Sequence, residues 1–141
     1  MKIHFKKLDS KAQKPKFGKP GDAGADLVAT SINLSRDHQV VYGTGLAVEI
    51  PEGMVGLVFP RSSVRNYDLT MANSVGVIDS GYRGEIMVTF NKIYGSASVM
   101  YEKGDRIAQL VIMPVPLIQY KEVDELSETQ RGTDGHGSTG N

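Results

Sequence analysis

The sequence predicts a single all-β domain of the jelly-roll or barrel kind, with one short helix and a C-terminal arm. Three observations carry that prediction. Apolar residues recur at every second position or in short runs, not at helical spacing. Turn signals rich in glycine, proline, aspartate and serine separate those runs. A length of 141 residues with 40% hydrophobic content suits one core, and no repeat or linker divides it.

Taken in order, Ile3 and Phe5 alternate with polar neighbours and predict a first half-buried strand. "FGKPGDAG" (17–24) is a turn, Ile32 and Leu34 mark a second alternating strand, and "SRDH" (35–38) turns it back. "YGTG" (42–45) leads into the alternation of Leu46, Val48 and Ile50, and "IPEG" (50–53) ends it. "GMVGLVF" (53–59) and "IAQLVIM" (107–113) are denser and predict strands buried on both faces. "SSVRNYDL" (62–69) is the one candidate helix, with Ser62 or Ser63 as its cap. "DSGYRG", "YGSAS" and "EKGD" are further turns. Beyond Ile118 the apolar pattern weakens, which predicts a β domain over 1–123 and a flexible arm over 124–141.

Composition removes several function classes. Sixteen basic residues balance sixteen acidic ones, so neither a nucleic acid nor an anionic membrane is predicted as partner, and any polyanion site must be local. "LVIMPVPLI" (110–118) is too short to span a bilayer and is broken by proline. "MKIHFKKLDSK" lacks the apolar run of an export signal, so a cytoplasmic location is predicted. Without cysteine there is no thiolate chemistry, and His4, His38 and His136 are too scattered for a zinc site.

Five segments could carry chemistry, and each also has a plain structural explanation. "PGDAGADL" (20–27) sets Asp22 and Asp26 beside a glycine-rich turn, where aspartates often bond their own backbone. "FPRSSVRN" (59–66) brings Arg61, Ser62 and Ser63 to a helix start, which makes either a phosphate cradle or a capped helix with a surface arginine. "NSVGVIDSGYRGEI" (73–86) is the densest. If Val75, Val77 and Ile78 are buried, Asp79 emerges from a strand against apolar neighbours and can take a proton from water, with Tyr82 offering a stacking face; a plain hairpin is the other reading. "KGDRIAQLVI" (103–112) holds Gln109, either functional or a satisfied core amide. "RGTDGHGSTG" (131–140) has four glycines in ten residues, yet also Arg131, Ser138 and Thr139. It is either a disordered end or an arm that orders around phosphate oxygens; lacking a lysine and a strand-to-helix context, it is no P-loop.

In this order the five segments resemble the five motifs of the trimeric dUTP pyrophosphatases, the dUTPases. The match runs through "AGADL" (23–27), "PRSS" (60–63), "NSVGVIDSGYRGEI", "KGDRIAQLVI" and "RGTDGHGSTG". The resemblance implies a jelly-roll-like β-sandwich subunit, the dUTPase-like β-clip. It also implies a homotrimer with active sites shared between subunits, the arm reaching a neighbour's site, and hydrolysis of dUTP to dUMP and pyrophosphate with Mg²⁺. Asp79 would then hold and deprotonate the attacking water and Gln109 would help position it. Arg61, Ser62, Ser63 and Arg131 would meet the triphosphate, and Asp26 would touch the magnesium through water. Asn73, Gly76, Val77, Ile78 and Met87 would form the uracil pocket and Tyr82 would exclude a ribose. His136 would cover the base where most of the family has phenylalanine, with Gly137, Ser138 and Thr139 completing the arm.

Two rivals remain at this stage. The related dCTP deaminases carry a catalytic glutamate where Thr89 stands here, and Thr89 cannot serve as that group. A regulatory protein that uses the nucleotide as a switch is the other; the short "NKIYGSASVMYEKGD" (91–105) leaves little room for the inserted segment such proteins usually carry.

Overall fold

The computed structural model describes residues 1–36 and 38–135. Among the described residues ten strands follow in order: β1 (His4–Lys7), β2 (Ala25–Val28), β3 (Ser31–Arg36), β4 (Gln39–Gly43), β5 (Leu46–Glu49), β6 (Met54–Pro60), β7 (Leu69–Met71), β8 (Gly76–Ile78), β9 (Met87–Lys92) and β10 (Arg106–Pro114). They form two four-stranded sheets, β2-β10-β6-β8 and β3-β4-β9-β7, and a two-stranded ribbon, β1-β5. Every ladder is antiparallel. The all-β prediction holds.

Inward-facing residues of both larger sheets meet in one core: Leu27, Val58 and Leu110 from the first, Val40, Tyr42, Val88 and Phe90 from the second. The alternation of β4 and β9 is the period-2 pattern of strands with one buried face. The two dense segments became interior strands, β6 and β10, flanked on both sides. Each buries its core face more fully than its other, which is half covered, so burial on both faces is only partial. β1 departs further: its residues are all exposed, Phe5 included, because three of its four side chains are His4, Lys6 and Lys7 on a sheet edge.

The predicted helix is a 3-10 helix over Ser62–Asn66. Its cap is Arg61, with no side-chain capping bond, so neither Ser62 nor Ser63 caps it. Support comes instead from aromatic packing behind it. Tyr67 lies against Tyr101 at 3.9 Å between ring centroids, and Tyr101 packs on Phe90 and Tyr42, the latter edge-on at 6.0 Å. Edge-to-face pairs of this kind add to area burial because ring edges are electropositive and faces electronegative. After β10 the chain leaves the body: residues 113–135 are all exposed.

Tyr42 ties this cluster together. It is fully buried and donates its hydroxyl to Tyr101 O at 3.0 Å. Burial pushes its pKa from 10.0 up to about 12. Above pH 10 the unfolded chain releases a proton that the folded chain keeps, so the contribution is complete below pH 10 and is lost as pH rises toward about 12. Tyr42→Phe should cost about 1 kcal/mol at pH 7, where Tyr101 O loses its donor, and should flatten part of the decline above pH 10. Urea unfolding at pH 7, 10 and 11.5 checks both.

Candidate active site

Three of the five segments meet on three adjacent strands. β10 lies between β2 and β6, and its Gln109 stands opposite Asp26 on one side and Phe59 on the other. Directly opposed residues point to the same face, so Asp26 and Gln109 are neighbours by register alone. Pro60 ends β6, and the chain turns there into the 3-10 helix that carries Ser62 and Ser63.

Asp26 is the electrostatic hub. Its Oδ1 accepts from Arg61 Nε at 2.7 Å and its Oδ2 from Arg106 Nη1 at 3.1 Å, with the carboxylate side chain 15% exposed. Arg61 Nη1 also donates to Ser63 Oγ at 3.1 Å. Two guanidiniums against one carboxylate leave a net positive charge at this edge, suited to a polyanion. Arg106 was not singled out from the sequence. It reaches Asp26 because a bulge interrupts the β10–β2 register between Arg106 and Ala108. In a regular strand residues 106 and 109, three apart, face opposite sides; the extra residue of a bulge re-aims one of them.

Gln109 is half-buried and donates Nε2 to Pro60 O at 3.1 Å. Its side chain packs on Gly24, where an added Cβ would lie 3.0 Å from Gln109 Cβ and closer still to Oε1. Gly24 is thus glycine because the amide occupies that space. Tyr101 supports the same region from below. Its hydroxyl is buried without a well-formed hydrogen bond, and burial raises its pKa, partly offset by nearby Ser63 and then by Arg61.

The densest segment is not a hairpin. β8 pairs with β6 in one sheet and β9 with β4 and β7 in the other. Residues 72–75 carry the chain from one sheet to the other and residues 79–86 carry it back. Asn73 lies on the first crossing, with its amide nitrogen 3.7 Å from where a Cβ on Gly76 would lie, and Met87 begins β9 after the second. Ser74 closes a γ-turn at φ 58°, with Val75 N–H donating to Asn73 O, a strained geometry for a residue with a side chain. Val77 also departs from expectation. It is 63% exposed, while Gly76 is buried and Val75 and Ile78 are half-buried, because strand alternation turns 76 and 78 inward and 77 outward.

Asp79 is exposed one residue beyond β8. Tyr82 donates its hydroxyl to Glu85 O at 2.9 Å, and its ring fills the space that a Cβ on Gly84 would need. The register sets Asp79 far from Gln109. Ile78 opposes Gly56, near the start of β6, whereas Gln109 opposes Phe59, near its end. The Asp79 level is thus four residues, about 13 Å, along β6 from the Gln109 level. One chain brings Asp26, Arg61, Ser63 and Gln109 together, and leaves Asp79 and Tyr82 at the other end of the sheet.

Ser62 is exposed at the start of the 3-10 helix. Arg131 is exposed, and its Nε donates to Asp134 O at 3.1 Å within its own turn. His136, Gly137, Ser138 and Thr139 lie outside the described residues. Among the described residues no group of three His, Asp or Glu side chains could hold a metal ion, and no helix is long and apolar enough to cross a membrane.

Comparison with known proteins follows the same lines. A family model described as dUTPase matches residues 10–140. The deoxyuridine 5'-triphosphate nucleotidohydrolase of Corynebacterium glutamicum is 44% identical over 98% of this chain and 94% of its own length; that of Rhodococcus erythropolis is 41% identical over 99% and 87%. Among solved structures, the dUTPase of Staphylococcus bacteriophage 80alpha with dUPNHPP matches at a TM-score of 0.88 and 32% identity, covering 99% of this chain and 98% of that one. The dUTPase of phage phi11 of S. aureus, whose structure is described as revealing the coordination of a structural Mg(II) ion, matches at a TM-score of 0.75 and 28% identity over 91% and 100%. With sequence segments, sheet order and relatives in agreement, this chain belongs to the dUTPase family and is a dUTP nucleotidohydrolase.

Proposed function

We propose that the chain hydrolyses dUTP at the α-phosphorus in an active site assembled from more than one copy, a homotrimer by family resemblance. The ladder register is the observation that supports this reading. Asp79 stands about 13 Å along the strand from the level of Gln109, farther than one attacking water can bridge. A second copy can supply what the first holds too far away. Exposed Val77 and Met87 also suit a surface that substrate or a neighbouring copy covers.

In this reading Asp79 takes a proton from a water held with the help of Gln109, whose Oε1 is not used by the Pro60 bond. The water oxygen forms a bond to the α-phosphorus as the bond to the bridging oxygen breaks, giving dUMP and pyrophosphate. Arg61, with Ser62 and Ser63, meets the charge that develops on the phosphates, and Arg131 joins them from the arm. The residues present fit a magnesium ion that arrives on the triphosphate. Asp26 gives one oxygen to each of two arginines, which leaves it lone pairs for metal-bound water and makes it a poor direct ligand. When bound, the ion neutralises phosphate charge.

Uracil specificity would reside where the chain crosses between the sheets. Asn73 offers an amide, and Gly76 and Met87 offer backbone groups, with Val77 and Ile78 completing the strand behind them. Cytosine would leave buried donors facing donors. Tyr82, fastened through its hydroxyl, would sit under the sugar and deny space to a 2'-hydroxyl. His136, with Gly137, Ser138 and Thr139, would close over the base. The division into a β domain over 1–123 and an arm over 124–141 belongs to this reading; the exposure of residues 113–135 supports an arm but begins within β10, before that boundary. A cytoplasmic location suits an enzyme that limits uracil in DNA and supplies dUMP.

Pyrophosphate release should occur with dUTP and Mg²⁺, and not with dCTP, dTTP or UTP. Asp79→Asn should lower kcat about 10²- to 10⁴-fold with the far-ultraviolet spectrum unchanged, and near-normal turnover would remove Asp79 as the base. Mixed assembly tests sharing. Asp79→Asn and Arg61→Ala are each expected to be nearly inactive, yet equal amounts unfolded and refolded together should regain about a quarter of the parent's sites. If the site lay within one chain, no activity would return. His136→Phe should keep kcat/KM within about tenfold; a larger loss would give the imidazole a role of its own.

A further inference from the structure

Asp79 and Tyr82 stand at the two ends of one tight turn, closed by Tyr82 N–H donating to Asp79 O at 3.0 Å. That bond engages only the backbone groups at the two ends of the turn. A second restraint comes from the next residue. Arg83 Nη1 donates to Ser80 O at 2.7 Å and to Tyr82 O at 2.9 Å. One guanidinium nitrogen, with two hydrogens in a fixed plane, thereby holds a carbonyl inside the turn and a carbonyl at its exit at a set separation.

The guanidinium is itself held from outside. Arg83 Nη2 lies 3.6 Å from Glu49 Oε1 on β5, and Glu49 Oε2 meets His4 Nδ1 at 2.9 Å. At the far side Tyr82 is fastened through its hydroxyl to Glu85 O. The turn is thus pinned on two sides, by Arg83 to the β1-β5 ribbon and by Tyr82 to the chain entering β9.

The geometry points to Arg83 as a positioning residue for the reaction: it clamps the turn so that the Asp79 carboxylate and the Tyr82 ring keep one relative orientation. This rests on the reading of Asp79 as the base. Arg83 is 54% exposed, and contacts so exposed add little to global stability. Its effect is local, on a proton acceptor whose misplacement by about 1 Å can cost 10²-fold in rate. Lysine would keep the charge and lose the planar pair of donors.

The test compares Arg83→Ala, Arg83→Lys and Asp79→Asn in the full chain. Turnover of dUTP, affinity for the non-hydrolysable analogue dUpNHpp and thermal midpoint are measured for each. Arg83→Ala is expected to lower kcat about tenfold or more, with KM and analogue affinity changed less than about threefold and Tm within about 3 °C of the parent. Arg83→Lys should recover part of the loss in kcat. A kcat within about twofold of the parent for Arg83→Ala overturns the clamp, as does a loss of kcat matched by equal losses of analogue affinity and a large fall in Tm, which would mark a scaffold role. Normal turnover by Asp79→Asn would instead overturn the assignment of the base, whatever Arg83 does.

Discussion

The register of β10 governs both the body and the site. This strand pairs with β2 and β6 at once, and its alternation buries Ala108 and Leu110 while aiming Gln109 toward the side chain of Asp26. A slip of one residue would expose the buried set and turn Gln109 into the core, so packing and chemistry are specified by the same alignment. The bulge after Arg106 adds to this. It lets Ile107 and Ala108 be buried in succession and brings Arg106 to the same carboxylate that Arg61 holds.

Around that carboxylate, electrostatics and packing are linked. An aspartate with little exposure requires partners, and two arginines provide them, Arg61 just past the end of β6 and Arg106 at the start of β10. Arg61 in turn reaches Ser63, whose 3-10 helix rests on the Tyr67–Tyr101 stack and, through Tyr42 and Phe90, on the core. The Asp26–Arg61–Ser63 cluster is therefore backed by aromatic side chains that continue into the core. Polar groups meant to stabilise developing charge work best when they need not reorganise, and this bracing supplies that condition.

The opposite end of the sheet is organised differently. The chain crosses between sheets twice within residues 72–86, and the crossing is held by backbone hydrogen bonds, a γ-turn at Ser74 and side chains folded back on their own peptide groups. Such a segment can read a base edge through its backbone, since β8 is an edge strand and among the described residues only one of its sides is spent on a ladder. The two ends are apart in one chain, and apolar Val77 and Met87 are exposed.

Much of this was legible in the residues. Alternation of Leu46, Val48 and Ile50 is a local property, and so are the turn residues between strands; both follow from backbone geometry over a few residues. The five motifs, with Asp26, Arg61, Asp79 and Gln109 among them, were also visible in order along the chain, and they led to the family. What the sequence by itself could not determine was adjacency. "NSVGVIDSGYRGEI" has the composition of a hairpin, and only long-range pairing sends β8 and β9 to different sheets. Arg106 carried no signal beyond its place three residues before Gln109, because a bulge, not periodicity, re-aims it. Local chemistry thus determined the strands and the reactive residue types. Tertiary structure decided which of them share an edge, because ladder partners are chosen by burial across the whole core and not by neighbours in the chain.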